Sequence, residues 1–222
     1  MLGYRKSSEL LTSKRCPRDL FRLHLSIGVW WPSGTPASAR ARVSSFCVSG
    51  TYPTITDRIR GGEPFACSDP EHERFFAQQA LAQDRARLRR TYVLLRDDSD
   101  GDDPAGTSIP PVTGYYTLAA GVLRGTSRSP LLTPAAILSH FAVHSNMEGT
   151  GIAQYLLLDA FARVCNTDLA VAVIYAETRS SRAEGFAVRH GFSIIGGASP
   201  TQLVAPMALV ERTVAASLLR QP

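Results

Sequence analysis

SHFAVHSNMEGTGIAQYLLLDAFARV, residues 139–164, is the stretch whose reading decides the fold. A short apolar run ends at Val143. A turn with Gly149 and Gly151 follows, and then a helical period begins, with Ile152, Tyr155, Leu156, Ala160 and Val164 near one face. Strand, glycine turn and helix together present free backbone N–H groups at a helix N-terminus, which attracts anions and above all phosphates.

The flanking sequence extends this unit. AILSHFAV (136–143) is the strand that enters the turn, and DLAVAVIYAE (168–177) reads as a central strand buried on both faces. TRSSRAEGFAVRH reads as a helix capped by Thr178 or Ser180, with Phe186 facing the core, and GFSII (191–195) starts a further strand. QLVAPMALV (202–210) reads as the last strand, with Pro206 demoting it to an edge or a bulge, and ERTVAASLLR as a closing short helix.

Towards the N-terminus, Ser68 or Asp69 can cap a helix with Pro70 in its first turn, and Glu71 and Glu73 suit its dipole. Phe76, Ala77, Ala80, Leu81 and Leu88 form its apolar face. Arg85, Arg87, Arg89 and Arg90 at its end either answer the helix dipole or form a basic patch for an acidic substrate. TYVLLRDD (91–98) and VTGYYTLAAGVL (112–123) read as strands joined by an acidic turn-rich loop, and LRGTSRSPLLTPA as another loop. From residue 70 the order is helix, strand, strand, strand, helix, strand, helix, strand, strand. This predicts an α/β fold with a mixed sheet and no regular βαβ alternation.

Charge is uneven. Residues 1–60 carry ten Lys/Arg and three Asp/Glu, whereas residues 61–222 carry fourteen and sixteen. The first 55 residues, rich in Arg, Ser, Pro and Gly, read as a basic, poorly ordered extension, or as translated sequence upstream of the true start. Lys14 to Arg22, the apolar run LHLSIGVWW and Ala37-Ser38-Ala39 imitate a signal peptide, but the n-region is long and the run contains His24 and Ser26. Cys16, Cys47, Cys67 and Cys165 lack metal-ligand spacing, so they read as reduced thiols of a cytoplasmic protein with no metal site. No apolar run reaches the roughly 18–20 residues of a membrane span.

The EGTGIA turn is neither a Walker A loop nor a dinucleotide fingerprint, because GxxxxGK[ST] and the third glycine are both absent. Taken with its flanks, it resembles the Arg/Gln-x-x-Gly-x-Gly/Ala motif that follows the fourth strand of the GNAT superfamily of N-acetyltransferases. Gly151 and Ala153 match, and Glu148 departs. Phe65, Cys67, Thr91, Tyr92 and Val93, Gly114-Tyr115-Tyr116, Ala142-Val143 and the GFSII strand further resemble the GNAT toxins that acetylate the amino group of charged tRNA, over roughly residues 55–218.

The resemblance implies a mostly antiparallel mixed sheet flanked by helices and splayed between the fourth and fifth strands, with residues 56–220 as the acetyltransferase domain. It implies acetyl-CoA as cofactor, held by Ala142, Val143, Gly149, Thr150, Gly151, Ile152 and Ala153. It also implies an aminoacyl-tRNA acceptor, a ribbon-helix-helix antitoxin and a homodimer. The alternatives are a catalytically impaired domain that binds CoA or a partner protein, and an enzyme acting on a small amine. Glu148 sets a negative charge beside a pyrophosphate unless it points outward. The family's Phe-Tyr-x-x-x-Gly-Phe, whose Tyr is the expected acid for the departing thiolate, is Phe186-Ala187-Val188-Arg189-His190-Gly191-Phe192 here. The catalytic acid is therefore unassigned. His190 reads as a partner of the helix C-terminus, Tyr175 as a core residue, and His140 takes the place of a family Arg.

Overall fold

The computed structural model describes residues 55, 64–95, 112–124, 132–197 and 199–219. The basic extension, the signal-like segment, Cys16, Cys47 and the acidic loop fall outside the described residues.

Helices α1 (Pro70–Gln78) and α2 (Ala80–Arg85) replace the single predicted helix. Asp69 caps α1, its carboxylate accepting from the Glu71 amide at 2.8 Å. Gln79, in the helical region but with φ opened to −119°, separates the two helices; Phe75, Phe76, Ala80 and Leu81 are buried, while Ala77 and Leu88 are exposed against expectation. The strands are β1 (Arg90–Leu95), β2 (Val112–Arg124) and β3 (Leu132–Val143). Residues 132–135, expected in a loop, belong to β3 because they pair with β2. Helix α3 (Ile152–Cys165) then leads to β4 (Val173–Thr178), α4 (Ser181–Arg189), β5 (Ser193–Gly196), β6 (Thr201–Pro206) and α5 (Met207–Leu218).

The sheet order is β1-β2-β3-β4-β6-β5, and every pairing is antiparallel except β3–β4. Two clusters fill its faces. Phe65, Phe75, Phe76, Val93 and Tyr115 lie under α1 and α2. Leu156, Phe161, Ile174, Leu203 and Val210 lie with α3 and α5 on the other side. Ile55 joins the first cluster and donates its backbone N–H to Thr91 at 3.0 Å. At Gly114 the strand runs close under α3: a Cβ there would lie 2.7 Å from Leu156 Cδ1.

Two expectations fail at the C-terminal half. Strand β4 is central, but only Ile174 is buried, because α1 and α2 pack over β1 and β3. Pro206 does not interrupt a strand. It ends β6, an interior strand, and stands at the N-cap of α5, where its missing N–H has no ladder bond to forfeit. Ser180 caps α4, as predicted.

Helix α4 ends in a Schellman motif: the Gly191 amide donates to Val188 and the Phe192 amide to Ala187, at 3.0 and 3.1 Å. Gly191 has φ 91°, and a Cβ there would fall 2.7 Å from Leu209. Gly191→Ala is therefore expected to destabilise the fold by about 2 kcal/mol, read as a lowered urea midpoint with unchanged slope.

Candidate functional site

The site begins at a β-bulge. Tyr115 pairs with Ala142 and Thr117 with Ser139, so Tyr116 faces both His140 and Phe141. His140 absorbs the extra residue at φ 46°. Pairing of β3 with β4 ends at Leu138 and Ala176, just before this bulge. The remainder of β3 and the following β4 thus diverge, so the splay falls between the third and fourth described strands, where the fourth and fifth were expected. Across it Phe141 meets Phe186 of α4, ring centroids 6.1 Å apart.

Beyond Val143 the chain folds through a 3-10 turn (Ser145–Met147) into α3. Gly149 and Gly151 adopt φ 77° and 91°, and Gly151 is the left-handed N-cap of α3, with no side chain capping it. The Ile152 and Ala153 amides precede the first intrahelical bonds, which run from Gln154 and Tyr155 to Gly151. A Cβ at either glycine would meet nothing within 4 Å, so the turn faces open space.

The predicted contributors divide. Gly149, Gly151, Ile152 and Ala153 come together at the helix N-terminus. Thr150 is exposed, and its hydroxyl donates back to the Met147 carbonyl at 2.6 Å. Ala142 is buried towards α1, so only its backbone borders the splay, while Val143 packs partly against the opposite cluster.

Glu148 meets Arg182 of α4 at 2.6 Å, a partner that sequence inspection missed. The hydrogen bond from Arg182, with another from Ser68, holds the Glu148 carboxyl below its usual range. The signal available in sequence was chemical: an acidic residue leading a phosphate turn needs a cation from elsewhere.

The position that the GNAT motif gives to tyrosine, Ala187, is half-buried on the core side of α4. The His190 ring engages the Phe186 carbonyl at 2.8 Å, at the helix end as expected. Tyr175 is not a core residue. It is only partly buried on β4, and its hydroxyl bonds to Glu177. None of the three presents a free acid.

On the α1 side, Arg89 donates to Ser139 at 3.2 Å and lies 3.0 Å from His140 Nδ1, while His140 stacks on Phe75 at 3.6 Å. Arg87, Arg89 and Arg90 border a cavity of about 360 Å³. Arg90 is paired with Asp84 at 2.9 Å. On the opposite face Tyr116 donates to Asp159, which pairs with Arg163 at 2.8 Å, and Arg163 lies over the Tyr92 ring. Burial raises the Asp159 carboxyl in spite of Arg163. Among the described residues, Cys67 and Cys165 are not joined in a disulfide, and the Cys67 thiol donates to the Asp69 carbonyl at 3.2 Å.

The overall fold is similar to that of solved structures. A Tyr-to-Phe mutant of the toxin KacT matches with TM-score 0.61 and 20% identity, over 72% of this chain and 96% of that one. AtaT bound to the C-terminus of its antitoxin AtaR and to acetyl-CoA gives 0.59 and 20%, over 72% and 95%. The chain shares the fold of these proteins, a mixed six-stranded sheet flanked by helices. AtaT complexed with acetyl-methionyl-tRNAfMet also matches, at 0.59 and 20%, over 72% and 96%. No family model matches the sequence. Among the described residues no helix is long and apolar enough to cross a membrane.

Burial, then Arg89 and His72, push His140 down to about 4, with Asp69 opposing. The unfolded imidazole takes up its proton near the ordinary 6.5, so the folded state loses stability as pH falls from there towards 4. His140→Asn, which tolerates the left-handed backbone, should lose about 1 kcal/mol less than wild type between pH 7 and pH 4.5, by urea denaturation.

Proposed function

We propose that the protein is an acetyl-CoA-dependent N-acetyltransferase whose acceptor is the aminoacyl group of charged tRNA. The observation that carries this reading is the left-handed glycine turn, which aims the Ile152 and Ala153 amides into open space beside the splay. A pyrophosphate is the ligand such a helix N-terminus favours, and a pantetheine arm can lie along the unpaired end of β3 and bond its backbone there. Gly149, Gly151, Ile152 and Ala153 would hold the cofactor through their amides, with Ala142 and Val143 contributing backbone.

Fold relatives support the acceptor: AtaT is known bound to acetyl-CoA and to acetyl-methionyl-tRNAfMet. The arginines around the 360 Å³ cavity would face phosphates of such a nucleic acid. By the same likeness the partner would be an antitoxin, of the ribbon-helix-helix type, and the setting the cytoplasm of a cell; AtaT and KacT are both known with antitoxin partners. A homodimer belongs to the same proposal, and the residues before Ile55, which itself packs in the first cluster, would be a basic extension outside the catalytic domain.

In chemical terms, the splay would align the thioester with the acceptor amine, and the amine would attack the acetyl carbonyl. The departing thiolate would leave without a tyrosine acid, because Ala187 has no proton to give. General acid help typically contributes 10²–10⁴-fold, so turnover would be slow. That same residue favours a second reading, a catalytically impaired domain that binds CoA.

Calorimetry with acetyl-CoA, followed by labelled acetyl transfer to charged tRNA, uncharged tRNA and small amines, separates these readings. Binding with transfer to charged tRNA alone is the expected result. No heat on titration would sink the cofactor reading. Ala187→Tyr is expected to raise the transfer rate about a hundredfold with an unchanged melting temperature; an unaltered rate would mean that another acid already serves.

A further inference from the structure

We propose that Arg182 is a positioning residue for the cofactor's phosphates, supplying from α4 the positive charge that Glu148 removes from the turn. This rests on the acetyl-CoA reading above. Glu148 opens the turn, and its carboxylate is bonded by Arg182 Nη1 at 2.6 Å and also by Ser68. The pair bridges 34 residues of chain and spans the splay from the β3 side to the β4 side. Both side chains remain accessible, Arg182 at 71% and Glu148 at 26%, so the pair borders the space that the turn faces.

The location of Arg182 is not explained by helix stability. It lies in the first turn of α4, where the macrodipole disfavours a cation. Its stability gain as an exposed ion pair is also small. A guanidinium has five donors, and the contact with Glu148 occupies one of them, so the remainder can take a phosphate oxygen in the bidentate manner arginine favours. Arg182 thereby neutralises a carboxylate that would repel the ligand and offers a cation to it. Glu148 in turn fixes the guanidinium at the mouth of the turn. A second bridge, Arg179 to Glu71 at 3.5 Å, joins the link between β4 and α4 to α1 but does not involve the turn.

The pair predicts non-additive binding. Calorimetry with acetyl-CoA should give about tenfold weaker binding for Arg182→Gln, because Glu148 is left unpaired beside the phosphates. Glu148→Gln alone should change affinity less than about threefold, and Glu148→Gln with Arg182→Gln should recover most of the loss. The Arg182→Gln deficit should also shrink as salt is raised. Unchanged affinity of Arg182→Gln, with wild type binding normally, overturns this inference and leaves the cofactor reading standing. Equal, additive losses from both single variants together with a lowered melting temperature of the free protein would reduce the pair to a structural clasp and overturn it too. Absence of binding by wild type removes the cofactor reading and this inference together.

Discussion

The structure depends on one backbone constraint, the left-handed bulge at His140. A non-glycine residue at φ 46° is held there by its surroundings: Phe75 stacks on the imidazole and Arg89 lies against its Nδ1. The bulge sets two residues of β3 against Tyr116 alone and bends the strand. Pairing with β4 stops two residues earlier, and the two halves of the sheet part. The cleft, the exposed edge of β3 and the direction of the turn all follow from that bend.

The parted halves are held at a fixed separation. Phe141 and Phe186 meet inside the cleft, and Glu148–Arg182 and Glu71–Arg179 join its rims. Behind it, Tyr116, Asp159, Arg163 and Tyr92 tie β1 and β2 to α3 through a mostly buried network. Removing Asp159 or Arg163 would leave the other as an unpaired, mostly buried charge, which is costly in a low-dielectric interior. The glycine turn is therefore mounted on a rigid base, with its amides fixed before any ligand arrives.

Binding and chemistry are separable here. The amide-lined turn needs only backbone conformation, which Gly149 and Gly151 provide whatever lies elsewhere. Proton delivery needs a particular side chain, and α4 carries Ala187 at that place. The loss does not disturb the helix, because the Schellman closure at Gly191 and the packing of Phe186 do not involve a tyrosine hydroxyl. On the proposed reading, cofactor capture would persist on a scaffold that lacks the tyrosine acid.

Local rules made much of this legible in the sequence. Asp69 and Ser180 announce helix starts, Gly149 and Gly151 announce a turn, and the spacing of Ile152, Leu156, Ala160 and Val164 announces α3, because each depends on neighbours within a turn or two. The element order from residue 70 and the GNAT likeness were readable for the same reason. What only the tertiary structure decided depends on distant groups. Strand β4 reads as buried on both faces, but the cover of α1 and α2 ends before it and only Ile174, on the other face, is buried. Pro206 reads as a strand defect, but the chain turns there into α5. Tyr175 reads as core, but the helices leave its face open. Glu148 reads as a charge conflict, but Arg182 meets it from another element. Dihedral preference and periodicity are properties of a short segment; burial and charge balance are properties of whatever the fold brings alongside it.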